Sequence, residues 1–297
     1  FNTTAISTDG DQTYNDAATL GGNITFTTTG DNIVFASTLN SDDTTRTLDI
    51  VAGAGNTTFT GAVGGSAALG NTTIGTAILT GAAIKVQGTL AITNSGTSSI
   101  TGIISDGDTA AILTKAGAGT LTLSGDNTYT GATTVSAGVL AITHADALGG
   151  TSGATTVANN AALNISGGIT TAAEGITISG TGVSNRGAIR SVSGNNTIAG
   201  QITIAAHAEI ASDSGTLTLN ISSGSSITAS NKNVTFDGAG NITVADPIAT
   251  GSGTLTKSGS GTLTLSAANT YTGASTISDG VLIATNATSL GTTDGAT

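Results

Sequence analysis

Few residues in this chain could do chemistry. His144 and His207 are the histidines, Glu174 and Glu209 the glutamates, and there is no cysteine. Acid–base catalysis needs carboxylates and a basic group converging on one groove, and these residues are too sparse to predict such a convergence. His144 lies in a segment that returns later in the chain with Asn286 in its place, so the pattern does not depend on an imidazole. Without cysteine, disulfides and thiolate metal sites are excluded. Hard-oxygen chemistry is left: Asp9, Asp11 and Asp16, with Asp42-Asp43 and Asp106/Asp108 elsewhere, carry the ligands that Ca²⁺ takes. The first cluster lacks the central glycine of an EF-hand loop and has Leu20 where the closing glutamate belongs. No metal or cofactor site is therefore assigned. Asp9, Asp11 and Asp16 stand as calcium candidates beside the preferred reading, solvated turn carboxylates that serve the backbone. Arg186 and Arg190 could grip a carboxylate or an anionic sugar, although a lone surface pair is more often solvated.

Tyr129 and Tyr271 occupy one position of a repeated stretch. A sugar-stacking platform is one reading; the preferred one is a ring packed over a corner with its hydroxyl in water. The stretch runs from Leu113 to Thr155 and returns without insertion at Leu255 to Thr297. Lys115 matches Lys257, Asn127 matches Asn269, and Gly138-Val139-Leu140 matches Gly280-Val281-Leu282. In Thr120-Leu121-Thr122-Leu123 both leucines fall on one face of a short strand and both threonines on the other. Ser124-Gly125-Asp126-Asn127 is turn chemistry, and Ala132–Val135 and Val139–Ile142 predict two further strands. The same rhythm fills the rest of the chain, from Ile24-Thr25-Phe26 to Ile242-Thr243-Val244, with no helical period. Self-similarity at a fixed offset marks a stacked repeat architecture.

The expected fold is all-β, one continuous β-solenoid over residues 1–297. Three tyrosines, five phenylalanines and no tryptophan would fill a β-sandwich core poorly. The glycine-aspartate nonapeptides of a calcium roll are absent. Coils of about 20 to 25 residues would give some 12 to 15 coils and a rod of about 60 to 70 Å. A net charge of −11 with seven Lys plus Arg speaks against nucleic acid as a partner. No apolar run is long enough for a membrane helix and no leader opens the chain, so membrane insertion by this segment is not expected.

The pattern Gly-x-Gly-Thr-Leu-Thr-Leu-Ser-x-x-Asn-Thr-Tyr-Thr-Gly, nearly complete in both copies, resembles the autotransporter-associated β-strand repeat of secreted bacterial surface proteins. Residues 187–197 and 210–219 look like the spacer that accompanies such repeats. Gly10–Tyr14 and Thr58–Gly65 are similar to repeats of filamentous-haemagglutinin-like adhesins. The resemblance divides the solenoid into haemagglutinin-like coils at 1–112, repeats at 113–155 and 255–297, and spacer coils at 156–254. It implies a right-handed parallel β-helix on the outside of a bacterial cell, a non-enzymatic adhesin or passenger stalk used in adhesion, aggregation or biofilm. The family's C-terminal translocator is missing, so a segment of a larger product is expected. Its partners would be further coils of a longer chain or copies of itself, and cell-surface glycans. A self-polymerising subunit of an extracellular fibre or layer is the alternative, and a polysaccharide-active β-helix enzyme a lesser one.

Overall fold

The computed structural model describes residues 1–292. Gly295-Ala296-Thr297, where the sequence shows no capping helix, and the end of the second repeat lie outside the described residues. The chain forms two units, one of residues 1–140 with 146–153, the other of residues 141–145 with the chain from 154 on.

Alternation of apolar and polar residues makes each strand of the first unit half-buried, and parallel pairing then stacks like on like. Strands Ala5–Thr8, Ile24–Thr28, Leu48–Val51 and Thr72–Thr76 pair in succession, followed by the later halves of Ile84–Asn94 and Ile104–Ala116 and by Thr133–Val135. A second column runs from Gln12–Tyr14 through Ile33–Phe35, Thr57–Phe59, Leu79–Gly81 and Thr97–Ile100 to Thr120–Leu123. The third side is shorter, linking Ala18–Leu20, Leu39–Ser41, Val63, Ile84 and Ile104. All of these pairings are parallel, so the unit is a three-sided β-solenoid. Register fixes its core: Phe26, Ile50, Ile74, Ile92, Lys115 and Val135 occupy one inward column. The early coils add an aromatic column, with Tyr14 and Phe35 rings stacked at 4.9 Å and Phe35 and Phe59 at 5.5 Å.

Where the sequence suggests two strands, at Ile84–Val86 and Leu90–Ile92, the structure has one, Ile84–Asn94, with a register shift between Val86 and Gly88. Gly88 makes that possible, its φ of 110° being open to glycine alone.

The second unit repeats the construction. Thr155–Val157, Ile176–Gly180, the start of Ile202–Ser212, Ile227–Ala229 and Ile248–Ala249 form one side. Ala161–Ser166, Ile189–Ser193, the end of Ile202–Ser212, Val234–Asp237, Leu255–Lys257 and Ser275–Ile277 form the next. Asn196–Ile198, Thr216–Leu219, Asn241–Val244, Thr262–Leu265 and Val281–Ala284 form the third. The one helical element among the described residues is a 3₁₀ turn at Val183–Asn185. No helix there is long and apolar enough to cross a membrane.

Candidate functional site

The residues that define the repeat point inward. Tyr129 and Tyr271 are fully buried, and their hydroxyls meet Thr133 Oγ1 at 2.6 Å and Ser275 Oγ at 2.7 Å. Neither ring is a sugar platform, and neither hydroxyl stands in water as expected: each ring is buried inside its coil, and a short polar residue four positions on satisfies its oxygen.

Asn127 is a buried rivet. Its Oδ1 accepts the Ile104 N–H at 2.7 Å and its Nδ2 donates to the Ala147 carbonyl at 2.7 Å, so one side chain ties the strand edge before it to the segment after it. Asn269 does the same between the Ile248 N–H and the Ser289 carbonyl.

Lys115 is buried, and its Nζ donates to the carbonyls of Ala116, Gly117 and Ala137 at 2.8, 2.9 and 3.2 Å. Lys257 likewise reaches the carbonyls of Ser258 and Gly259. Burial pulls the Lys115 ammonium down to about 8. It also lowers Lys257, with Asp237 and Asp279 opposing. A lysine at an inward strand position is legible as a repeat match but not as a carbonyl cage, because nothing in sequence shows that three carbonyls converge there.

Of the other candidates, Glu174, His207 and the two arginines are engaged within the fold. Glu174 is buried against the Thr155 hydroxyl, and burial pushes its carboxyl up to about 7 against that hydrogen bond. Glu209 is buried too, raised to about 7 first by burial and then by Asp237. His207 Nδ1 accepts the Asn233 N–H at 2.8 Å. His144 is half-buried. Arg190 forms a bidentate pair with Asp213, which Arg186 also reaches at 3.3 Å, so the two arginines share an internal carboxylate.

Asp11 Oδ1 takes the backbone N–H of Asn32 at 2.8 Å. Asp9, Asp11 and Asp16 are not brought together as three carboxylates with oxygens within 4.8 Å of one another. Asp106 binds the backbone N–H groups of Ala111 and Thr130. By contrast, the adjacent Asp42 and Asp43 and the distant Asp108 line one cavity of the first unit.

Residues 113–142 and 255–284 match the passenger-associated-transport-repeat family. Over 75 residues, 25% of this chain and 2% of the relative, the chain is 47% identical to the adhesin BmaC autotransporter of Brucella suis biovar 1 (strain 1330). The chain carries an autotransporter passenger repeat region. In both copies of the passenger repeat, the lysine, asparagine and tyrosine just described fall inside the matched residues. The copies thus preserve a set of buried polar contacts, of which those of the asparagine tie one coil to the next. No solved structure matches the chain significantly.

Proposed function

We propose that this chain is part of the exported passenger of a bacterial cell-surface adhesin and acts by contact rather than catalysis. The observation that carries this reading is the pair of passenger repeats, supported by a relative named as an adhesin. The chemistry of the surface agrees. Outward strand positions present hydroxyl columns, Thr58–Thr80–Ser99–Thr122 in the first unit and Thr197–Thr218–Thr243–Thr264 in the second. Such faces are polar and nearly uncharged, suited to contact with glycans or other polar surfaces through many weak hydrogen bonds.

Two measurements test the reading. An antibody raised against the chain should label intact producing bacteria, and beads coated with the chain should adhere to glycan-bearing host cells above albumin-coated controls. Labelling confined to permeabilised bacteria, or beads no stickier than controls, would overturn it.

A further inference from the structure

We infer that the cavity of the first unit between residues 42–45, 66–68, 85–87 and 107–108 is a binding pocket for a neutral hexose or N-acetylhexosamine residue. The inference deepens the adhesin reading and rests on it. The cavity holds about 230 Å³, on the scale of one sugar ring, and its walls come from four separate stretches of chain.

Those walls are fixed before any ligand arrives. The Arg46 guanidinium clamps Asp42 through two bonds of 2.9 and 2.7 Å, and the same carboxylate accepts the Thr44 N–H. Gln87 bridges the two sides, its amide nitrogen on the Thr45 hydroxyl and its Oε1 on the Asp108 N–H at 3.0 Å. Asn40 holds the Ser66 N–H at 2.9 Å. A Cβ on Gly107 would come within 2.8 Å of the Ala68 methyl and 2.9 Å of the Gln87 Cβ, so glycine is what lets this wall close. Pre-ordering of this kind lowers the entropic cost of capture.

The groups left over match a polyol. Among the described residues, the Asp43 and Asp108 carboxylates and the Lys85 ammonium line the cavity with no protein hydrogen bond or ion pair to occupy them. Two acceptors and one donor can read vicinal hydroxyls, while the Ala67 and Ala68 methyls offer an apolar patch to ring C–H groups. With Asp42 neutralised by Arg46, the pocket carries one excess negative charge, which disfavours sialic and uronic acids. Its carboxylates do not form a three-ligand cluster within 4.8 Å, so they are not arranged as a cation cage.

The test is saturation-transfer NMR on the full chain, with methyl glycosides of galactose, glucose, mannose and N-acetylglucosamine as probes and N-acetylneuraminic acid as the anionic control. Transfer to at least one neutral glycoside is expected, with none to the acid. In Asp43→Ala and Asp108→Ala, both at exposed positions, that binding should weaken about tenfold or more at an unchanged melting midpoint. No transfer to any neutral probe, or transfer undiminished in both variants, would overturn the proposal. So would calcium chloride alone giving calorimetric heat that these variants abolish. Failure here with beads still adherent would remove the pocket and leave the adhesin reading. Sugar binding with non-adherent beads would do the reverse.

Discussion

A buried asparagine carries more of this fold than its size suggests. Asn127 satisfies a donor and an acceptor on two different segments at once, in the buried interior. A buried polar group left unpaired costs about 1–3 kcal/mol, so Asn127→Ala is expected to lower stability by about 2–4 kcal/mol in urea unfolding. Asn32→Ala likewise removes two side-chain bonds, to the Asn56 N–H and the Asp11 carboxylate, but at exposed sites, and should cost less than about 1 kcal/mol. Equal effects would mean that the rivet is no better than a turn contact. Lys115→Met keeps the length of the stem and deletes only the three bonds to carbonyls. We expect a loss of about 1–3 kcal/mol. A raised midpoint would show that burying the ammonium costs more than its bonds return.

At the scale of the element, glycine decides where coils can touch. Gly131 has an ordinary backbone conformation, yet a Cβ there would lie 2.3 Å from the Ala111 carbonyl oxygen. The requirement is close approach of backbones, not a left-handed φ. Gly131→Ala should therefore destabilise by about 2 kcal/mol or more, while Gly10→Ala, with nothing within 4 Å, should be nearly silent. Thermal melts of the two variants check this.

The strands themselves were legible. Thr120–Leu123 is alternating in sequence and half-buried in the structure. The turn that Ser124–Asn127 suggests is only a bend at Gly125, with Asn127 buried beyond it. The interior of the repeat was not legible, because Lys, Asn and Tyr are residues that single-sequence reasoning puts on surfaces. The asparagines find their partners about twenty residues away in the stacked chain, whereas the lysines turn mainly to the carbonyls of the next two residues. Likewise Asp42, Asp43 and Asp108 could be singled out as polar loop residues, but their meeting in one cavity depends on parallel register over more than sixty positions.

At the scale of the molecule, buried acids give stability a pH slope. Glu174 and Glu209, both in the second unit, have folded-state values raised to about 7 from an ordinary 4.5. The folded state thus holds protons that the unfolded state has released. Their contribution is full below about 4.5 and is lost as pH rises towards 7, at up to about 1.4 kcal/mol per group per pH unit. The melting midpoint should rise on acidification from pH 7 to pH 5, and Glu174→Gln should flatten that slope. A midpoint that falls over this interval would contradict the burial of these carboxyls.

Parallel, in-register coiling underlies every one of these inferences, and engineered cysteines test it most directly because the chain has none of its own. Ser99 and Thr122 are register partners facing outward in the first unit, as are Thr218 and Thr243 in the second. Neighbouring strands place such partners about 4.8 Å apart, within the range that a disulfide spans. Under mild oxidation, Ser99→Cys with Thr122→Cys should close, as should Thr218→Cys with Thr243→Cys. Thr97→Cys with Thr122→Cys, displaced by two residues along the strand, should stay reduced. Closure of the displaced pair instead, or of neither partner pair, would contradict the solenoid.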